Sequence, residues 1–177
     1  MNEKAIRYDI IIAVSALLIS AIASVAVVYQ THVISEQFSA TVWPYLSFEV
    51  TRDPSHLTVV LRNDGIGPAL IRTVDVTYEG KRAQSLDAVI DPIVAKATQA
   101  HKGATRSTIA SIDAGSVLAA HERVTLVRIQ GAQATQALLE EAPHVNLSVC
   151  YCSLLGRCWI KQFNDRSGEP HDTARCH

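Results

Sequence analysis

Residues 10–29 read IIIAVSALLISAIASVAVVY, 20 consecutive positions without a charge. As a helix rising about 1.5 Å per residue, the run spans roughly the 30 Å of a bilayer's hydrocarbon core. Backbone groups in hydrocarbon must pair within their own segment, so the Ile and Val content here is read as helix rather than strand. Tyr8 and Tyr29 fall where interfacial aromatics anchor a span. Lys4 and Arg7 precede the run and Ala21-Ile22-Ala23 has the small-x-small form of a cleavage site, so a signal peptide is the competing reading. The apolar stretch continues past that site to Tyr29, and the expectation is a retained anchor.

Lys4 and Arg7 lie in the tail over residues 1–9, whereas residues 30–51 contain neither Lys nor Arg. The positive-inside rule therefore sets the N-terminus in the cytoplasm and the rest of the chain outside, an arrangement expected of a bacterial inner-membrane protein with a periplasmic domain. Small residues recur every fourth position at Ala16, Ser20 and Ser24, a spacing that lets a second helix approach closely. Beyond the span, Ile34, Phe38 and Val42 continue at spacings of four, which predicts a short juxtamembrane stalk over residues 30–43 that stops at Trp43-Pro44 and packs its stripe. After residue 30 the chain holds 14 basic against 15 acidic residues, so it carries no basic footprint and is not expected to bind nucleic acid.

From Tyr45 the period changes from helical to two. Residues 45–50, 57–61, 71–78, 107–112, 124–129, 145–153 and 158–163 read as about seven short strands. Asn63-Asp64-Gly65-Ile66-Gly67-Pro68-Ala69 is a connection, its glycines permitting positive φ and its proline ending ladder pairing. Residues 85–100 read as a short helix or covering loop interrupted at Asp91-Pro92, and residues 132–142 as a second helix ended by Pro143. The expected fold is mainly β: a transmembrane helix, then an immunoglobulin-like β-sandwich over residues 44–165 with one or two short helices inserted.

Trp43-Pro44-Tyr45-Leu46, residues 61–69, Cys150-Tyr151-Cys152-Ser153 and Cys158-Trp159 together resemble a group of uncharacterised bacterial single-pass membrane proteins with a β-sandwich outside the membrane. The resemblance implies architecture only, because that group has no established activity to transfer.

All four cysteines fall in the last 28 residues, at 150, 152, 158 and 176. Leu154-Leu155-Gly156 has glycine at the third position of a three-residue hairpin loop, where a type I turn needs a left-handed residue. That loop sets Cys152 opposite Cys158, at a separation a disulfide bridges. Cys150 shares their face, leaving Cys176 as its partner and tying down the tail over residues 166–177. Thiols outside the cytoplasm oxidise, which favours disulfides. The rival is a soft tetrahedral metal site with His171 or His177 nearby, although Cys-x-Cys-x5-Cys is not a standard zinc spacing.

Catalysis needs converging groups, and His32, His56, His101, His121 and His144 are spread without motif spacing. His121-Glu122 belongs to no His-Glu-x-x-His pair, Ser111 and Ser116 lack a nucleophile elbow, and Asp87 and Asp91 read as a solvated pair. Asn146-Leu147-Ser148 is a glycosylation sequon inside an expected strand. No cofactor is expected. The leading expectation is a non-enzymatic, membrane-anchored binding or assembly module, an accessory subunit with a protein partner in the membrane or periplasm. The alternatives are a ligand or metal sensor acting through the single helix and, last, an enzyme.

Overall fold

The computed structural model describes residues 3–101, 106–110, 112–165 and 167–176, with the side chains of 3–9, 35–41, 100–101 and 106–109 outside that description. The chain divides into two units, Met1–Thr41 and Val42–His177. The first is a single helix, α1 (Glu3–Thr41), in which Ile10–Ile34 is long and apolar enough to cross a membrane. The apolar segment thus runs past Tyr29, and the stalk expected over residues 30–43 is the continuation of the same helix. No glycine or proline precedes Pro44 in this stretch, so nothing ends helix propagation earlier. Ile34 is exposed and Val42 lies just past the helix end, while the side chain of Phe38 is outside the described residues.

The second unit contains β1 (Leu46–Asp53), β2 (His56–Asn63), β3 (Ala69–Tyr78), β4 (Lys81–Ala83), α2 (Leu86–His101), β5 (Arg106–Ile109), β6 (Val117–Leu118), β7 (Arg123–Gln130), α3 (Ala132–Glu141), β8 (Val145–Cys152), β9 (Cys158–Gln162) and β10 (His171–Thr173). These strands make two sheets, one ordered β1-β2-β7-β5 and the other β10-β9-β8-β3-β4 with β6 also on β3. The strands that the alternation does not reveal are β4, β6 and β10, each three residues or fewer and too short to express a period. Within residues 166–177, β10 pairs with β9 from His171↔Ile160 to Thr173↔Cys158, a second attachment beside the disulfide.

Both sheets contribute to one core. Leu61 and Ile129 of the first and Ile71, Val149 and Tyr151 of the second are almost wholly buried, in one cluster with Val89, Ile90 and Val94 of α2 and Ala134 and Leu138 of α3. α2 runs uninterrupted through Pro92, where the sequence suggests a break. An interior proline costs about 3 kcal/mol, whereas burying each of three aliphatic side chains contributes about 1.5–3 kcal/mol. Packing therefore outweighs the lost backbone bond. In β7 the expected alternation fails because Val59 pairs with Val127 and Val60 with Thr125. The bulge leaves Leu126 unpaired and lets Leu126 and Val127 both turn inward.

The end of this unit where the chain arrives at Val42 is fastened by one side chain. Asn63 is fully buried. Its Nδ2 donates to the carbonyls of Gly67 at 2.8 Å, Leu118 at 3.2 Å and Ala119 at 3.0 Å, while Oδ1 accepts from the amides of Tyr45 at 3.1 Å and Gly65 at 3.0 Å. Gly65 and Gly67 are needed for a different reason from the expected positive φ. Neither has one, but a Cβ on Gly65 would strike the backbone at Trp43 and Tyr45, and one on Gly67 the backbone of Val42. Replacing Asn63 by Ala leaves two amides, that of Gly65 buried and that of Tyr45 half-buried, and three carbonyls without their partner. Denaturant titration of the detergent-solubilised full chain should therefore show a loss of about 3 kcal/mol or more, and a loss below about 1 kcal/mol would remove Asn63 from this role.

Candidate functional site

Two sites stand out, at opposite ends of the second unit. The first is the cysteine corner at the near end, where Val42 begins. Ser153 donates its amide to Arg157 O at 2.8 Å, Gly156 to Ser153 O at 3.0 Å, and Gly156 has φ 80°, the three-residue loop the sequence suggests. Cys152 and Cys158 are direct partners in the β8–β9 register and are bonded across a Cα separation of 4.0 Å. Cys150 is bonded to Cys176, with Cα atoms 5.7 Å apart. The sulphurs of Cys152 and Cys176 approach to 3.8 Å, so the two bridges touch. Those of Cys152, Cys158 and Cys176 lie within 4.8 Å of one another, a spacing at which thiolates hold a soft metal ion. As disulfide sulphurs they offer no thiolate ligand.

Around this corner, Trp159 packs on Tyr151 with ring centroids 5.8 Å apart and on Trp43 at 6.5 Å, and the Arg157 guanidinium lies 5.6 Å over the Trp159 ring. The phenol of Tyr151 accepts the Leu46 amide at 3.2 Å, joining β8 to the start of β1. Burial pushes the pKa of that phenol far above its ordinary value, so it stays neutral.

The second site is a groove of about 830 Å³ at the far end, walled by α2, α3 and the β3–β4 hairpin. Its lining includes apolar Val89, Pro92, Ile93 and Ala137 and charged Lys81, Arg82, Lys96, Glu140 and Glu141. The hairpin turns through Glu79 and Gly80, both left-handed at φ 49° and 75°. A left-handed glutamate costs about 1–2 kcal/mol, and its amide is held by the His144 carbonyl at 2.9 Å. The Tyr78 hydroxyl donates to Glu141 at 2.9 Å, joining strand to helix across the groove. That bond, with some burial, raises the phenol's pKa. A separate apolar cavity of about 90 Å³ between Leu57, Leu138 and Phe163 is smaller than the ~150 Å³ void that accommodates benzene.

The residues singled out for chemistry do not converge. His56, at the start of β2, bonds to Asp53 and Ser55, and His171, at the start of β10, to Asp165 at 2.7 Å, both imidazoles being exposed. His121 and His144 are exposed in connections, His32 is on α1, and His101's side chain and Ser111 lie outside the described residues. Ser116 sits beside a turn, and Asp87 and Asp91 are exposed on α2. On α1, Ser20 donates its hydroxyl to Ala16 O at 2.8 Å and Ser24 to Ser20 O at 2.9 Å, so these small residues satisfy their own polar atoms within the helix. No motif signals the groove, because its walls come from α2, α3 and a three-residue strand that no local pattern brings together.

No protein-family model matches the chain, and comparison with curated proteins and with solved structures yields no match. The bridge between Cys150 and Cys176 closes a separation of 26 residues, against six for the other. Loop-closure entropy then makes the longer one worth about 3.5 kcal/mol and the shorter about 2.4 kcal/mol. The double variant C150S/C176S should unfold earlier by about that larger amount and show no free thiol under denaturing alkylation. Two alkylated thiols in that variant would mean that Cys152 and Cys158 are not partners.

Proposed function

We propose that this protein is a membrane-anchored binding or assembly module, an accessory subunit that holds another membrane or envelope protein and performs no chemistry of its own. α1 is its anchor, with the N-terminus cytoplasmic, and the β body stands on the periplasmic side of a bacterial inner membrane. The two sheets, antiparallel and sharing one core, are read as an immunoglobulin-like sandwich in the broad sense. The far-end groove carries the functional reading. At about 830 Å³, lined by apolar and polar groups together with charges of both signs, it suits a partner's helix or loop. The dispersal of histidines, serines and carboxylates among the described residues supports binding over catalysis. The disulfides support a rigid platform over a thiolate metal sensor.

Mild-detergent purification of the full chain from its own membranes should recover a stoichiometric companion. The double reversal R82E/K96E, at groove positions, should release it by at least about tenfold, the loss that ~1.4 kcal/mol represents, without changing the thermal midpoint by more than a few degrees. Recovery of the chain alone at native abundance would contradict the assembly reading. A companion unaffected by the reversal would move its binding surface off the groove.

A further inference from the structure

We infer that the near end of the body is a lipid-docking surface, with Trp43, Ile66, Leu154 and Leu155 seated in the interfacial region of the bilayer. The strand registers bring these residues to one end. Leu46 pairs with Asn63, Leu70 with both Val117 and Cys152, and Cys152 with Cys158. The residues just before β1, the 64–68 loop, β6 and the 153–157 hairpin are therefore neighbours. Large apolar side chains are exposed there and almost nowhere else. Among the described residues of the body they are Trp43 (46%), Ile66 (60%), Val117 (52%), Leu154 (60%) and Leu155 (46%) at this end, against Val50 (45%) alone elsewhere.

Scattered exposed apolar residues need no explanation, but a cluster confined to one end does. The hairpin tip is the sharpest case. Two consecutive leucines occupy turn positions that usually carry polar residues, and the Cys152–Cys158 bridge at the hairpin's base holds the tip rigid. Trp43 is backed by Tyr45 edge-on at 5.5 Å and by Trp159. Tryptophan combines an apolar body with a polar N–H, the combination that prefers the membrane interface.

Lipid is the occupant because of covalent reach. The apolar segment of α1 ends at Ile34 and the body starts at Val42. Eight residues of helix extend at most about 12 Å, while the interfacial zone on each side of the core is roughly 5–8 Å deep. A body tethered this closely keeps its near end within reach of the headgroups. Charge at this end is of both signs, with Asp64 paired to Arg62, Arg157 to Asp172 at 3.5 Å, and Glu122 adjacent to Arg123. The apolar contact should therefore form on zwitterionic lipid and persist in salt.

The inference rests on α1 being the anchor, and the test separates the two. The full chain is reconstituted in phosphatidylcholine vesicles containing a phosphatidylcholine with a carbene-generating diazirine high on one acyl chain, irradiated, and mapped by peptide mass. Lipid adducts are expected in residues 10–34 and also at Leu154–Leu155 and Ile66. The L154D/L155D variant, altered only at exposed positions, should lose the hairpin adducts while keeping those of α1. Adducts confined to residues 10–34 would overturn the docking surface and leave the anchor standing. Absence of adducts in residues 10–34 would overturn the anchor and the docking with it.

Discussion

The buried amide of Asn63 is the constraint on which the near end of the body depends. A single side chain bonds the chain just before β1, the 64–68 loop and the segment after β6. The close backbone approaches that require glycine at 65 and 67 lie against residues 42–45. Each bond alone is worth about 1 kcal/mol net. Their joint loss would strand polar groups that are buried or half-buried, so the loop, the start of β1 and the β6 segment hold or fail together.

That fastening explains how an exposed apolar cluster coexists with order. Trp43 stands next to the fixed Pro44–Leu46 backbone, Ile66 sits in the loop that Asn63 clamps, and the leucine tip is closed by a disulfide. Residues that would elsewhere be a liability in water are held on rigid supports. At the opposite end the groove is assembled from α2, α3 and the β3–β4 hairpin, with Tyr78 and Glu141 joining strand to helix. In the proposed reading one end meets lipid and the other meets a protein, with the shared core keeping the two apart.

Where a physical signal is local, the sequence carries it. An uncharged run long enough to cross a bilayer needs no partner to be recognised, and Gly156 at the third loop position sets Cys152 against Cys158 by turn geometry alone. Non-local effects hide the rest. Pro92 reads as a helix break until the burial of Val89, Ile90 and Val94 is weighed against it. The bulge opposite Leu126 is set by β2, far away in the chain, and so defeats the alternation of β7. Asn63 looks like any turn residue, because its partners at 118 and 119 lie more than fifty positions on. The leucines at 154 and 155 read as ordinary loop residues, since only the strand registers set them beside Ile66 and Trp43.

The proposed side of the membrane is tested most directly by protease access. The full chain, tagged at both ends, is exposed to trypsin in intact spheroplasts and in inverted membrane vesicles, and the surviving tags are scored. A C-terminal tag lost in spheroplasts but retained in inverted vesicles, with the N-terminal tag behaving oppositely, is the result expected of a single anchor with its body outside. A C-terminal tag cut only in inverted vesicles would put the body in the cytoplasm, where its disulfides would not persist, and would contradict the account.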